Sequence, residues 1–231
     1  MCSIKYESAG RTDRGVVRPT NQDAFLEQPE LGIWVVADGM GGHEHGELAS
    51  CMVCDGLVNL QPQSTLEAAS LAVQCRLSDI NARLYRMATR QMARIKIGTT
   101  VVVLLTCGLK CEVLWAGDSR AYRLREGKLD VLTKDHVWAG FSGTLGDKSS
   151  TITRAVGGEA HLELDTWCGK VQPGDRYMLC SDGISRALDA DAIRQYLRVS
   201  GLRAAADALI EESIGAGSSD NVTAVVIEAG R

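Results

Sequence analysis

The sequence predicts an α+β fold in which packed β-sheets carry helices on their outer faces. Two helical segments are followed by a block of strands, then by two short helices and a closing strand. The chain has 231 residues, of which 45% are hydrophobic, so it can bury a sizeable core. Neither an internal repeat nor a linker divides it, and we expect one domain spanning residues 1–231.

The amino-terminal third predicts strands followed by two helices. Up to residue 36 the pattern is strand, loop, strand, with glycines and prolines at the turns. A helical pattern follows over residues 46–60. A second helix is predicted to begin at Ser64, whose spacing to Glu67 resembles a capping box, and to run toward Gln91. Its length suits it to cover a sheet.

Strand periodicity dominates the middle of the chain. Four strands, at residues 99–106, 111–116, 121–124 and 129–132, predict an antiparallel meander. Residues 137–152 are rich in glycine and serine and predict a mobile loop. A strand ending at Ser181, helices over 190–197 and 202–214, and a strand over 222–228 complete the chain.

Composition excludes several classes of partner. The formal net charge of -4 and the isoelectric point near 5.6 argue against nucleic acid or an anionic membrane as the main partner. The first seven residues contain no apolar signal core, and the apolar runs are too short to span a membrane. We therefore expect a cytoplasmic protein that does not bind membranes or nucleic acid, and a monomer.

The eight cysteines predict reduced thiols rather than disulfides, because they are scattered through predicted strands and helices. Cys51 and Cys54 have the spacing of half a zinc site, and Cys107 and Cys111 could be the other half. A structural zinc site needs four converging ligands, whereas cysteine is among the residues most often buried in cores. Buried thiols are therefore favoured over a zinc site.

Four aspartates border apolar strands. Asp38, Asp118 and Asp182 follow such strands, and Asp220 precedes one. An anion at the mouth of a buried strand needs a basic partner, a raised pKa or a bound metal, and a metal would serve all four. Gly39, directly after Asp38, lets the backbone approach a ligand closely. Oxygen ligands select hard ions, so the pattern predicts Mg²⁺ or Mn²⁺.

Such a site would suit the hydrolysis of a phosphate ester. Two divalent ions about 3.5–4 Å apart can share a water, lower its pKa and hold it in line with a phosphorus atom. Arg18 offers paired donors that match phosphate oxygens, and it stands five residues before another carboxylate, Asp23. This chemistry proceeds without a covalent intermediate.

Six motifs, in order along the chain, together resemble those of one enzyme family. They are Arg18-x-x-Asn21-Gln22-Asp23, Asp38-Gly39-Met40-Gly41-Gly42-His43, Gly98-Thr99-Thr100, Gly117-Asp118-Ser119-Arg120, Ser181-Asp182-Gly183 and Ser219-Asp220-Asn221-Val222-Thr223. The resemblance is to the metal-dependent protein phosphatases of type 2C, in their short bacterial form, and it covers residues 10–227. It implies a four-layer α-β-β-α sandwich of two mostly antiparallel sheets flanked by helix pairs.

The resemblance also implies a set of metal ligands. Asp38 would bridge two ions, and the carbonyl of Gly39 would bind one of them. Asp182 and Asp220 would hold the other ion. Asp118 would join Asp182 at a third metal position, so the expected cofactor is two or three ions of Mg²⁺ or Mn²⁺.

Three further residues receive roles from the same resemblance. Asp23 would orient the attacking water, Arg18 would bind the substrate phosphate, and Asn221 would support Asp220. The substrate implied is a protein carrying phosphoserine or phosphothreonine, and the partner is a bacterial serine/threonine kinase whose action is reversed.

The chain departs from the family pattern in two places. Some members carry a histidine directly after the Asp-Gly pair as a candidate acid, whereas this chain has Met40, which cannot donate a proton. His43 and His136 are possible substitutes, although each also suits a structural role. The segment 137–152, where the family places its flap, is short.

Two other functions remain open on the sequence alone. A phosphatase of small phosphate esters would use the same active-site residues, and the loop 137–152 and the surface around Arg18 would decide between the two substrates. A non-catalytic relative that binds phosphoproteins would need to have lost metal ligands, whereas every expected aspartate is present.

Overall fold

The computed structural model describes residues 4–41, 45–90, 97–139 and 150–230. Within these ranges the strands are β1 Tyr6–Asp13, β2 Asp23–Gln28, β3 Ile33–Gly41, β4 Ile97–Thr99, β5 Val101–Cys107, β6 Lys110–Ala116, β7 Arg120–Arg125, β8 Lys128–Val131, β9 Val137–Ala139, β10 Ser150–Ile152, β11 Asp165–Lys170, β12 Arg176–Cys180 and β13 Val222–Ala229. The helices are α1 His45–Val58, α2 Leu66–Arg90, α3 Asp182–Ser185, α4 Ala190–Tyr196 and α5 Leu202–Gly215.

The strands form two large antiparallel sheets. Sheet I has the order β1-β13-β12-β7-β8, and sheet II has the order β11-β6-β5-β3-β2, with β4 paired to β3. Strands β9 and β10 pair with each other as a separate two-stranded sheet. Helices α1 and α2 cover sheet II, and α3, α4 and α5 cover sheet I. The α+β fold predicted from the sequence is therefore confirmed.

Alternating side chains divide the interior into three apolar cores. In β3, Trp34 and Val36 pack between the two sheets, whereas Val35 and Ala37 pack against α1 and α2. In β12, Leu179 likewise lies between the sheets, while its neighbours face the helices of sheet I. Three cores between four layers give the α-β-β-α sandwich.

The same alternation carries polar side chains to one end of the core between the sheets. Asp38 lies two residues beyond Val36 in β3 and so points between the sheets, and Asp23 is its register partner in β2. From sheet I, Ser181 and Thr223 extend the inward-facing positions of β12 and β13. The sandwich therefore places a polar cluster at its rim.

Several elements differ from those predicted. The amino-terminal segment contains three strands rather than two, and the predicted strand over 99–106 is divided into β4 and β5 at Thr100. The short helix α3 and the strand β11 were not predicted. Strand β11 has alternating intermediate and exposed residues at an edge of sheet II, so it lacks the apolar run that marks the central strands.

The start of the second helix was also predicted wrongly. Helix α2 begins at Leu66, and its first turn is capped by Thr65, whose hydroxyl accepts from the Ala68 N–H at 3.1 Å. Glu67 does not complete a capping box with Ser64; its carboxylate instead binds Lys110 at 2.9 Å. The adjacent hydroxyls of residues 64 and 65 offered two possible caps, and the chain uses the second.

The loop predicted over 137–152 is ordered at its ends, where β9 and β10 pair. Residues 140–149, on which the prediction of mobility depends, lie outside the described residues. The cysteines described are all free thiols, and Cys54, Cys111 and Cys180 are buried, but Cys51 and Cys75 are exposed rather than in the core. No helix in the described ranges combines the length and the hydropathy needed to cross a membrane.

Candidate metal and phosphate site

The predicted site residues converge on one pocket of about 390 Å³ at the rim between the sheets. Six of the eight line it: Arg18, Asp38, Gly39, Asp182, Asp220 and Asn221. Asp23 and Asp118 are buried behind this surface, where Asp23 is paired with Asp38 in the sheet and Asp118 accepts a hydrogen bond from Arg186. Two of these residues, Arg18 and Asp220, stand 202 positions apart in the chain, so the fold alone brings them together.

Asp23 and Asp38 form a pair of like charges on adjacent strands. They stand directly opposite each other in the register of β2 and β3, where two anions repel. One carboxylate oxygen of Asp23 accepts from the hydroxyls of Ser181 at 2.8 Å and Thr223 at 2.6 Å. Burial raises the pKa of Asp23 to about 6 despite these hydroxyls. Burial and then the charge of Asp23 raise the pKa of Asp38 well above its ordinary value.

A second acidic pair, Asp118 and Asp182, is bridged by a guanidinium group. The Nη2 atom of Arg186 lies 2.9 Å from the Oδ2 atom of Asp118 and 2.7 Å from that of Asp182. Burial and the charge of Asp118 raise the pKa of Asp182 to about 7, and Arg186 opposes this rise. Burial also raises the pKa of Asp118, again against the effect of Arg186.

The loop before β2 is tied to the start of β13. Arg18 binds the carboxylate of Asp220 at 2.6 Å, and the Asn221 N–H donates to the other oxygen of Asp220 at 2.9 Å. The side chain of Asn221 donates to the carbonyls of Arg14 and Thr20, each at 2.9 Å, and accepts from the Gln22 N–H at 2.8 Å. Asn221 therefore positions the loop that carries Arg18 as well as Asp220.

Close backbone packing explains the glycine after Asp38. A Cβ atom on Gly39 would lie 2.1 Å from the carbonyl oxygen of Gly46 and 2.6 Å from that of Gln22, so no other residue fits. Thr100 secures the neighbouring peptide: its hydroxyl accepts from the Asp38 N–H at 3.1 Å, and its own N–H donates to the Asp38 carbonyl at 2.9 Å. Both interactions fix the backbone on either side of the carboxylate.

Unpartnered oxygens test whether divalent ions fit this site. Among the described residues, one buried carboxylate oxygen each of Asp23, Asp118 and Asp182 has no hydrogen-bond partner. Buried polar atoms are normally paired, and hard cations prefer carboxylate and carbonyl oxygens. The described side chains do not form a ready-made cage of three ligands, since Arg18 and Arg186 bind three of the carboxylates instead. The donor set nevertheless fits Mg²⁺ or Mn²⁺.

Neither cysteines nor histidines add ligands in the described part of the chain. No group of three Cys, His, Asp or Glu side chains suited to a metal is found there, so Cys51, Cys54, Cys107 and Cys111 do not form a zinc site among the described residues. Cys111 instead lies 3.6 Å from the hydroxyl of Tyr177 in the core between the sheets.

His136 holds the base of the predicted flap rather than facing the pocket. Its Nδ1 atom accepts from the Gly117 N–H at 3.2 Å, its Nε2 atom lies 3.2 Å from the Asp165 carboxylate, and its ring stacks on Trp115. Both ring nitrogens are thus engaged. His43 lies outside the described residues, and Met40 lines the pocket, so the described lining contains no histidine to protonate a leaving group.

Three contacts of the site were not predicted. Arg186 follows Asp182 by four positions, a spacing that favours an ion pair on one turn of helix and could have indicated it. Ser181 and Thr223 lie in the predicted motifs, but the hydrogen bonds that both donate to Asp23 were not predicted. No local pattern reveals these contacts because they join strands of different sheets.

Comparison with known proteins identifies the family. The family model described as "Protein phosphatase 2C" matches residues 16–214. The serine/threonine protein phosphatase PstP of Mycobacterium tuberculosis is 35% identical over 237 residues, covering 95% of this chain but 44% of that protein. The chain thus spans less than half the length of this relative.

Solved structures are similar over nearly their whole length. One, described as "PppA, a key regulatory component of T6SS in Pseudomonas aeruginosa", has a TM-score of 0.92 and 38% identity, covering 98% of this chain and 99% of that one. The catalytic domain of PstP in complex with 2 manganese ions has a TM-score of 0.85 and 32% identity, with coverages of 99% and 100%.

The chain therefore belongs to the protein phosphatase 2C family. Membership confirms the family predicted from the six motifs, and the similar structures confirm the four-layer sandwich. The manganese-bound relative supports metal dependence.

Proposed function

We propose that this chain removes phosphate from phosphoserine and phosphothreonine on proteins, using two ions of Mg²⁺ or Mn²⁺ and an attacking water. The observation that carries the proposal is the convergence of three aspartates and Arg18 on one pocket with two more aspartates buried behind it, and three of the buried carboxylate oxygens have no partner among the described residues. A chain that only bound phosphoproteins would have no need of this many buried anions, which are costly to desolvate.

Asp38, the carbonyl of Gly39, Asp182 and Asp220 are the proposed ligands of the two ions. When bound, such ions polarise a phosphoryl group and make water a stronger nucleophile at neutral pH. The chain contributes a rigid arrangement of these oxygens, because Thr100 fixes the backbone around Asp38 and Asn221 fixes Asp220. Asp118 and Asp182 form a third position that attracts a cation.

Arg18 is the proposed phosphate-binding residue, and Asp23 is proposed to orient the attacking water. Arg18 lines the pocket with a half-exposed side chain, so its guanidinium can turn from Asp220 to a phosphate. Asp23 keeps one oxygen free of protein partners while Ser181 and Thr223 hold the other. A carboxylate held in this way can accept a hydrogen bond from water at a fixed place.

The substrate is proposed to be a protein rather than a small phosphate ester. Beside the pocket lies a groove of about 500 Å³ along the end of α2 and the strand β10, and Met40 and Ile152 line both cavities. A small ester would fill the pocket alone, whereas a peptide would extend from the pocket into this groove.

The test is hydrolysis of phosphoserine, phosphothreonine and phosphotyrosine peptides beside p-nitrophenyl phosphate, each with EDTA or with Mn²⁺. We expect Mn²⁺-dependent release of phosphate from the first two peptides, with kcat/KM above that for p-nitrophenyl phosphate. A higher kcat/KM for the small ester would favour the alternative substrate. Binding of phosphopeptides without any hydrolysis would favour the non-catalytic relative.

The partner is proposed to be a bacterial serine/threonine kinase, whose products this enzyme would dephosphorylate. Relatives named serine/threonine phosphatases support phosphoprotein substrates, and the similarity to PppA makes a type VI secretion system one candidate setting. We also propose that the chain acts as a monomeric catalytic domain in the cytoplasm, where free thiols such as those described here stay reduced. Phosphoproteomics of a strain lacking the gene would identify the substrates that accumulate.

A further inference from the structure

Arg186 lies where a third metal ion is expected in this family. Asp118 and Asp182, the two carboxylates assigned to that ion, are bridged by a single nitrogen of Arg186 at 2.9 and 2.7 Å. A guanidinium stays protonated at every physiological pH, so the position always holds a positive charge. We propose that Arg186 is a built-in cation that takes the place of the third ion, leaving a two-ion enzyme.

Arg186 differs from Arg18, which also lines the pocket, in how deeply its carboxylate partners are buried. Arg18 and Arg186 have similarly exposed side chains, at 52% and 54%. Arg18, however, binds one carboxylate that is itself 25% exposed, whereas the side chains bound by Arg186 are only 3% and 8% exposed. Removing the cation from buried carboxylates is costly because they cannot be solvated instead. Arg18 can therefore exchange its partner, while Arg186 is held in place.

The backbone around α3 fixes the position of Arg186. Its N–H donates to the carbonyl of Asp182 at 2.9 Å at the end of this one-turn helix. The helix packs against the start of β13 so closely that a Cβ atom on Gly183 would lie 2.1 Å from the carbonyl oxygen of Asn221. Because Arg186 follows Asp182 by four positions, its guanidinium then lies beside the Asp182 carboxylate. A divalent ion entering here would have to break two charge-assisted hydrogen bonds and remain next to the displaced charge.

The inference rests on the proposed two-ion site, and a count of bound metal tests the two separately. Bound Mn²⁺ per chain would be measured by equilibrium dialysis, with the ions located by anomalous scattering from crystals. For the wild-type chain at saturating Mn²⁺ we expect two ions near Asp38 and none between Asp118 and Asp182. For Arg186→Gln we expect one more ion, located between those two carboxylates.

Further variants test whether the additional Mn²⁺ ion binds because the charge of Arg186 has been removed. Arg186→Lys keeps a cation and should bind no more ions than the wild-type chain, and Asp118→Asn combined with Arg186→Gln should lose the extra ion. Arg194→Gln, which removes an exposed arginine paired with Asp191 on α4, is the matched control and should leave the count unchanged. Circular dichroism would verify that each variant is folded.

Two results would overturn the role of Arg186: an ion between Asp118 and Asp182 in the wild-type chain, or a folded Arg186→Gln protein with no additional ion. Should Arg186→Gln fail to fold, the anomalous map of the wild-type chain still decides, because density between the two carboxylates would contradict the proposal and its absence at saturation would support it. Fewer than two ions near Asp38 would instead contradict the proposed function.

Discussion

The site contains two pairs of acidic side chains, and the repulsion between the two carboxylates is compensated differently in each pair. Asp23 and Asp38 face each other across β2 and β3, with hydroxyl groups as donors to Asp23 and no guanidinium between them in the described structure. Asp118 and Asp182 are joined by Arg186. Burial raises the pKa of members of both pairs, and in the second pair the permanent charge of Arg186, which bridges both carboxylates, opposes the rise.

The difference shows which part of the site depends on external ions. A pair of buried carboxylates without a cation either binds protons or binds metal, so the Asp23–Asp38 pair is available for divalent ions. The Asp118–Asp182 pair is already neutralised in part by the chain itself. Metal binding should therefore be essential beside Asp38 and dispensable between Asp118 and Asp182.

The largest expected effect is that of removing a charge from the first pair. Asp38→Asn should lower kcat/KM with p-nitrophenyl phosphate in Mn²⁺ by more than about a hundredfold, because losing a direct ligand should exceed the loss of an outer-shell partner. Asp118→Asn should lower it only about tenfold, since Asp118 contacts Arg186 rather than a required ion. Asp191→Asn on the exposed face of α4 is the control. Equal losses for Asp38 and Asp118 would abolish the distinction between the two pairs.

The next effect concerns the arginine that can exchange its partner. Arg18→Ala should raise KM for phosphopeptides roughly tenfold with a smaller change in kcat, because a charge-assisted hydrogen bond to phosphate is lost. The KM of Arg18→Lys should lie between those of the wild-type chain and Arg18→Ala, since lysine keeps the charge but not the paired donors. Arg11→Ala, which removes exposed ion pairs with Asp207 and Glu211, serves as the control. An unchanged KM would place Arg18 outside the phosphate site.

A smaller effect is expected from the hydroxyls that bind Asp23. Ser181→Ala combined with Thr223→Val should lower kcat/KM about fivefold near neutral pH, because neutral hydrogen bonds are lost. These hydroxyls lower the pKa of Asp23, so without them that pKa should rise above about 6 and the loss should be greater at acidic than at alkaline pH. Ser213→Ala, in the core of α5, is the control. A loss independent of pH would indicate a structural role alone.

The smallest expected effect is a pH dependence of stabilisation by metal. The pKa values of Asp23 and Asp182, about 6 and about 7, are raised above the ordinary aspartate value. Between about pH 4 and pH 7 the metal-free fold binds more protons than the unfolded chain, so its stability falls as pH rises. Mn²⁺ replaces those protons and should raise the Tm more at about pH 8 than at about pH 5.5. Equal increases in Tm on adding Mn²⁺ at the two pH values, measured by calorimetry, would contradict competition between Mn²⁺ and protons.

Much of the fold follows from local patterns in the sequence. The central strands were predicted because their apolar runs are long, and α2, α4 and α5 because their periodicity is helical. Strand β11 was missed because it lies at an edge with alternate residues exposed, and α3 because it is a single turn. The cap of α2 was assigned to Ser64 instead of Thr65 because both residues can accept the same hydrogen bonds.

The candidate site was predictable as a set of residues but not as a set of contacts. The aspartates and Arg18 stand in motifs whose order is visible in the chain, and the structure brings them to one pocket or to buried positions directly behind it. Their partners were not visible: Ser181 and Thr223 reach Asp23 across 158 and 200 positions. Such contacts depend on how two sheets are packed face to face, which no local pattern encodes.

The sequence by itself determined the kinds of side chain available, their order and the class of fold, because strand alternation and turn glycines are properties of neighbouring residues. Only the tertiary structure decided which carboxylates share a cation. Asp23 meets Asp38 through strand register. Arg186 meets Asp118 across 68 positions because β7, which follows Asp118, pairs with β12, which precedes α3. Charge neutralisation acts through space, so the difference between a metal position and an internal ion pair emerges only after folding.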